Sequence, residues 1–328
     1  MNVTPEFRPI LESRLASVLS ARPPVVAAFD SDLVCRRAAF VAFARANPGS
    51  VILLQLGYEH ETPEIAAELA DHVTAFCADA PETRIIALGN SARECDSLRA
   101  VGVETRFIHQ NCFLDERRYR PMGRRRPFDA VYIARFTPCK RHELVPVDIA
   151  PRLLLLGCYT YDAERAYADM VCARYAAARM VRAFSGARVS EFLGQAKCGL
   201  VLSAREGASF CSSEYLLCGI PVVDTPAIGG RSVLYPEEYV RYVDSTPDAV
   251  GEGVNHWVRN RPDPWKVRAA WLAKARPHRE AFGQLMRELT GRAHGRPPHK
   301  LGLRTPHPAA VYSRAIQAYL WTKGLFMP

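Results

Sequence analysis

The chain has 328 residues, of which 48% are hydrophobic and 23% charged, the balance of a soluble globular protein with room for two domains of ordinary size. No apolar run approaches the roughly 20 residues that span a bilayer. Glu6, Arg8, Glu12 and Arg14 interrupt the N-terminus where a secretory leader keeps an unbroken apolar core, so a cytoplasmic protein is expected. In chain order, Pro5 to Ser20 reads as an amphipathic helix and Val25 to Phe29 as a strand ending at Asp30. Leu33 to Ala46 is helical, Val51 to Leu56 is a buried strand closed by Gly57, and Thr62 to Ala78 is a helix with Pro63 in its first turn. A strand at Arg84 to Leu88 leads to a helix that Asn90 and Ser91 can cap, and Glu104 to His109 is the last strand of a small open domain of about four strands.

Arg117 to Pro127 is polar, basic and broken by Pro121, Gly123 and Pro127, the composition of an interdomain linker. The α/β pattern then restarts, with strands at Ala130 to Ala134, Arg152 to Leu156, Gly199 to Ser203 and Pro221 to Val223. Helical segments fall at Asp162 to Val181, Val189 to Gln195, from Ser212, and over Asp263 to Leu289. Gly291 to Pro308 reads as a loop and Ala309 to Lys323 as a closing helix. Strands alternating with helices predict parallel sheets.

The formal charge of +9 is concentrated. Six arginines lie in Arg117–Arg126, and 12 Lys/Arg face three acids between Arg259 and Arg304. No nucleic-acid signature accompanies them, so the choice is between a solvated basic face and peripheral contact with an anionic membrane. The ten cysteines form no CxxC pair and no zinc-type cluster, and read as buried reduced thiols.

The most informative stretch is Leu200 to Gly230. A buried strand ends at Ser203, small residues separate Glu206 from Glu214, and a helix begins near Ser212, which with Ser213 is expected to cap it. A strand, a small-residue loop and a helix start aim backbone N–H groups and the positive helix end at one point, a phosphate site by construction. Glu206 then falls near the strand's carboxyl end, where open α/β sheets bind ligands, and Glu214 in the first helical turn. This segment resembles the retaining GT-B glycosyltransferases, the group that includes sucrose and glycogen synthases. They share the two glutamates separated by seven residues, the following Cys218-Gly219-Ile220-Pro221-Val222-Val223, and the trailing Gly229-Gly230. About 70 residues earlier, Ala130 to His142 is similar to the family's strand, loop and two cations, with Arg135 and Lys140 on the cationic positions. Ala134 replaces the family's usual glycine, and Cys139 its usual acid before the lysine.

The resemblance implies two Rossmann-like domains facing each other across a cleft, with the N-terminal one reduced. Residues 1–124 would form the acceptor side, 125–300 would hold the nucleotide sugar, and a helix within 301–328 would return toward the N-terminal domain. It implies transfer of a sugar, with retention, to a glycan or lipid-linked acceptor, as in polysaccharide synthesis, without cofactor or metal. Glu206 would contact sugar hydroxyls, Glu214 the ribose, and Arg135 and Lys140 the diphosphate, while Gly207, Ala208, Ser209, Phe210 and Cys211 line the donor. His60 is the candidate for a histidine the family often places near the sugar, with His109 as rival. Arg141 and His142 are expected to face solvent. Asp30 and Asp32 are the aspartate pair that a metal-dependent reading would use. An inverting transferase, a phosphorylase or a non-catalytic sugar-nucleotide sensor fits the same residues.

Overall fold

In the computed structural model, the described residues are 7, 10, 16–123, 125–157, 164–181 and 188–292. The closing helix expected at Ala309 to Lys323 lies outside them. The chain forms two compact units: one runs through Phe113 and resumes at Arg276, and the other is Leu114–Ala275.

The first unit is a five-stranded sheet in the order β1 (Ala16–Ala21), β2 (Pro24–Phe29), β3 (Val51–Gln55), β4 (Arg84–Gly89), β5 (Thr105–Phe107). Strands β2 to β5 are parallel, in registers that pair Val25 with Val51, Ile52 with Ile85 and Ala87 with Thr105. Helices α1 (Asp30–Cys35) and α2 (Arg37–Ala46), α3 (Pro63–Asp79) and α4 (Ala92–Ala100) make the crossings. Every residue of β3 is buried, as a strand covered on both faces must be. Ser91 caps α4 by accepting the Glu94 N–H at 2.9 Å, and Glu94 reaches back to accept the Asn90 N–H at 2.6 Å. Thr62 occupies the N-cap position of α3, but its side chain makes no capping bond.

The N-terminal helix expected at Pro5 to Ser20 is corrected over its last residues. Ala16–Ala21 is a strand, antiparallel to β2 and offset by a bulge between Val18 and Ser20. The outer edge of β2 carries unpaired N–H and C=O groups, and pairing them outweighs the local helical pattern.

The second unit is a six-stranded, wholly parallel sheet in the order β11-β10-β9-β6-β7-β8. Its strands are β6 (Phe128–Ile133), β7 (Leu153–Leu156), β8 (Arg179–Val181), β9 (Ala196–Val201), β10 (Val222–Asp224) and β11 (Val240–Tyr242). The connecting helices are α5 (Arg165–Arg174), α6 (Val189–Leu193), α7 (Phe210–Leu217) and α8 (Pro247–Arg259), and α9 (Pro264–Thr290) follows. The helix expected from Asp162 to Val181 is shorter. Tyr175 caps it and donates to the carbonyls of His142 and Val145, and Arg179–Val181 then forms the sheet edge beyond β7. Strand β11 and helix α8 fall where the sequence showed neither.

Burial of side chains such as Leu153 to Leu156 contributes about 1.5–3 kcal/mol each, and holds the central strands in place. Tyr215 of α7 locks the centre further. It is fully buried, its hydroxyl accepts the Ile133 N–H at 2.7 Å, and its ring lies on the backbone of Gly199 in β9. A Cβ at position 199 would fall 2.6 Å from Cε2 of that ring and nearer still to two other ring carbons. Gly199→Ala is therefore expected to destabilise the protein by about 1–3 kcal/mol through overpacking, read as a lower denaturant midpoint at unchanged slope. An unchanged midpoint would show that Tyr215 is free to move.

Candidate functional site

From β6 the chain runs outward through β7 and β8, then returns to β9 on the other side of β6 and continues to β10 and β11. The strand order reverses between β6 and β9. At such a switch point two loops leave the carboxyl ends of neighbouring strands in opposite directions, opening the crevice where α/β sheets bind ligands. The loop after β6 carries Arg135 and Lys140, and the loop after β9 carries Glu206.

The fold brings Lys140 and Glu206 together. The Lys140 Nζ donates to Glu206 Oε2 at 2.6 Å, with 23% and 19% of the two side chains exposed, so both stay within reach of a ligand. Burial works against the Glu206 charge, but the Lys140 ammonium, the Ser203 hydroxyl and Arg231 outweigh it and hold the carboxyl below its usual range. The Ser203 hydroxyl donates to the same Glu206 oxygen. Behind it lies Arg231, 2% exposed. Its Nη1 donates to the Ser203 carbonyl at 2.5 Å and hydroxyl at 3.1 Å, and its Nη2 donates to the Thr225 carbonyl and sits 2.7 Å from Asp224 Oδ1. Burial pushes the Asp224 carboxyl up to about 7, with Arg231 pulling the other way.

The solvent-facing positions expected for Arg141 and His142 are corrected. Arg141 takes a left-handed backbone (φ 50°) that turns its side chain under the sheet's end. There its guanidinium donates to the Leu202 carbonyl at 2.5 Å, the Thr225 hydroxyl at 2.8 Å and the Ser245 hydroxyl at 3.2 Å. His142 is buried among the rings of Tyr132, Phe136 and Tyr167. Burial, with the Lys140 charge nearby, lowers its pKa to about 3, so the imidazole is neutral. The Tyr132 hydroxyl donates to the Lys140 carbonyl and fixes the loop from beneath.

Arg135 is placed apart from the Lys140–Glu206 pair in its bonding, with Nε 3.1 Å from Oε1 of the buried Glu164. Past Glu206, whose N–H donates to the Ile228 carbonyl at 2.9 Å, residues Gly207, Ala208 and Ser209 lead into α7. Helix α7 begins at Phe210 with Ser209 as N-cap, so the capping expected of Ser212 and Ser213 is corrected. The Ser212 hydroxyl instead donates back to the Ser209 carbonyl at 2.8 Å. The earlier start also places Glu214 in the second helical turn rather than the first, where the Tyr119 hydroxyl hydrogen-bonds it. Cys211 lies in the first turn, its thiol pushed up to about 11 by burial and by Glu206.

His60 belongs to the first unit, in the loop after β3, and is fully buried. Its N–H donates to Glu94 Oε1 at 2.9 Å, its Nδ1 is 3.0 Å from the Tyr58 carbonyl, and its Nε2 is 3.5 Å from Asp30 Oδ2. His109, also buried, accepts the Asn111 N–H on Nδ1 at 3.2 Å. Asp30 accepts the N–H groups of Ser31 at 2.7 Å and Gly57 at 3.1 Å. Asp32 is pushed up to about 7 by burial and by Asp30. Among the described residues, no group of three or more His, Cys, Asp or Glu side chains is arranged to hold a metal ion.

Sequence reasoning missed Glu164, Ser203, Asp224 and Arg231. The clearest available signal was Asp224, a carboxylate ending a buried strand, with Arg231 as a cation inside an apolar stretch. Each calls for a buried partner.

No protein-family profile matches the chain, and no curated protein sequence matches it. Solved structures do. HepE from Anabaena, in complex with UDP and glucose, is 13% identical over 81% of this chain and 78% of its own, with a TM-score of 0.60. Sucrose-phosphate synthase from Thermosynechococcus elongatus is 17% identical over 76% and 72%, with a TM-score of 0.55. Trehalose-6-phosphate synthase, in a study of glycosyl transfer with retention, is 10% identical over 77% and 72%, with a TM-score of 0.58. Likeness at such identities speaks to the fold. The chain has the GT-B architecture of these glycosyltransferases, two α/β units each built on a parallel sheet.

Proposed function

We propose that the protein moves a glycosyl unit, with retention, from a nucleotide-sugar donor to a glycan or lipid-linked acceptor, in the cytoplasm at or near an anionic membrane. The observation that carries this reading is the Lys140–Glu206 pair at the switch point of the second sheet, beside the head of α7. The domain roles follow the sequence reading, with the acceptor on the N-terminal side and the donor on the second unit.

In the reaction, the bond between the sugar's anomeric carbon and the phosphate oxygen breaks, and the acceptor oxygen bonds that carbon from the same face. The acceptor's proton passes to the departing phosphate. Lys140 has three donors, so it can keep Glu206 and still bond a phosphate oxygen as charge develops there. Arg135, held by Glu164, adds the second cation, and the backbone from Gly207 to Cys211 offers the helix head to the diphosphate. Glu206 holds sugar hydroxyls. Glu214, oriented by Tyr119, accepts from the ribose. His60, expected near the sugar, is fully buried within the first unit with its Nδ1 on the Tyr58 carbonyl, and could reach a ligand only after its ring is uncovered.

The division of labour has a direct test. Glu214→Ala should weaken binding of the free nucleoside diphosphate by roughly one to two orders of magnitude, the loss of one charged hydrogen-bond contact. Glu206→Ala should leave that binding nearly intact and lower turnover of the sugar donor. Lys140→Ala should reduce turnover by about tenfold to a thousandfold at saturating donor, as for one lost preorganised donor. Calorimetry with nucleotide alone, paired with assays of nucleotide release, separates the three. Loss of nucleotide in the Glu206 variant with normal binding in the Glu214 variant would reverse the roles, and binding without any nucleotide release in the wild type would make the protein a sensor.

The cations also bear on metal. With Lys140 and Arg135 available to neutralise the diphosphate, donor turnover should continue unchanged in excess EDTA. Turnover abolished by chelator and restored by manganese would move the chemistry to Asp30 and Asp32.

A further inference from the structure

Residues of the two basic segments that are far apart in the chain, Arg126 of the first with Arg261 and Arg268 at the start of the second, come together in the second unit. Arg268 in α9 makes the junction. Its guanidinium donates to the Glu116 carbonyl at 2.6 Å, the Leu217 carbonyl at 3.0 Å and the Tyr119 carbonyl, and so pins the start of the Arg117–Arg126 segment along the first turns of the helix. At the other end of the segment, Arg126 donates to the Gly219 carbonyl at 3.4 Å. Gly219 in turn lies against Pro264, the first residue of α9. Burial and the neighbouring charge of Arg261 both lower the Arg126 pKa, as expected for two cations forced close together.

The outward side of this junction is cationic. Arg120, Arg125, Arg261 and Lys266 are all exposed. The acids on the face are Asp115, Glu116 and Asp263, and two of them are engaged with backbone. Asp115 accepts the Arg117 N–H at 2.9 Å, and Asp263 accepts the N–H groups of Trp265 at 2.7 Å and Lys266 at 3.3 Å. In the first turn of α9, next to Lys266, Trp265 has 58% of its surface open, the most exposed of the large hydrophobic side chains described.

We propose that this face binds an anionic bilayer, with the arginines and Lys266 on lipid phosphates and Trp265 seated at the headgroup level. A cationic surface is drawn to anionic lipid whatever its sequence, and tryptophan prefers the depth where one side of its ring is apolar and the other wet. A single exposed ring among cations suits a bilayer interface better than a nucleic acid, which is gripped by successive aromatic platforms. The face adjoins the proposed donor site through Tyr119, whose carbonyl Arg268 holds and whose hydroxyl bonds Glu214, but its exposed cations and Trp265 are not among the residues assigned to the donor. It would hold the chain at the membrane that carries a lipid-linked acceptor, a consequence that rests on the glycosyl-transfer reading.

The test is sedimentation of the full chain with vesicles of phosphatidylcholine mixed with phosphatidylglycerol, against vesicles of phosphatidylcholine alone, with donor hydrolysis measured on the same samples. Each cation at such a surface contributes a factor of about five in binding. Arg120→Gln, Arg125→Gln and Arg261→Gln combined should therefore weaken binding to the anionic vesicles by roughly a hundredfold. Trp265→Ser should weaken it further. Arg93→Gln with Arg99→Gln, two exposed cations of the first unit, should leave it unchanged. Unchanged hydrolysis and thermal midpoints in these variants show that the fold and the donor site are intact, so vesicle binding and the donor reading can fail separately. Equal binding to both vesicle types, variants that bind like the wild type, or preferential binding of a single-stranded oligonucleotide that survives Trp265→Ser would each overturn the proposal.

Discussion

At the carboxyl ends of the second sheet, backbone oxygens run past the last ladder bonds and must find other donors. Two arginines supply them. Arg231 reaches the carbonyls of Ser203 and Thr225, and Arg141 reaches the carbonyl of Leu202, so the ends of β9 and β10 are tied from both sides. A buried guanidinium is tolerable only when paired, and Asp224 pairs Arg231. The same Ser203 that accepts from Arg231 donates to Glu206, and the same turn that aims Arg141 inward carries Lys140. The geometry of the candidate site is thus a consequence of satisfying the strand ends.

The layers differ in how readily they can change partner. Arg231 and Asp224 are almost wholly buried, and removing either would strand the other's charge. Lys140 and Glu206, each about one-fifth exposed, keep enough open surface for a ligand to share their hydrogen bonds. Rigid support beneath and exchangeable charge above suit recognition of a diphosphate, whose oxygens compete for the same donors that a carboxylate uses. Helix α7 adds the fixed positive end of its dipole.

Much of this was legible in the chain. The central strands read correctly because apolar runs such as Val51–Gln55 and Leu153–Leu156 are buried on both faces. The Glu206 loop read as a connection between a strand and a helix because mostly small residues lie between them. The short edge strands β1, β8 and β11 were not legible, since their half-exposed residues carry no clear period and only the neighbouring strand makes them extended. Helix α8 was hidden by its glycines, and one of them is there for packing: a Cβ on Gly253 would meet Val223 at 2.8 Å. The roles of Glu164 and Arg231 depend on contacts made across the fold, which local pattern does not encode.

The most direct measurement is a crystal structure of the full chain soaked with UDP-glucose. The expected result is a diphosphate within hydrogen-bonding distance of Lys140 Nζ and the backbone from Gly207 to Cys211, with the ribose at Glu214 and the glucose at Glu206. A nucleotide bound at the strand ends of the first unit, or density in the second unit that leaves Lys140 and the head of α7 untouched, would contradict it.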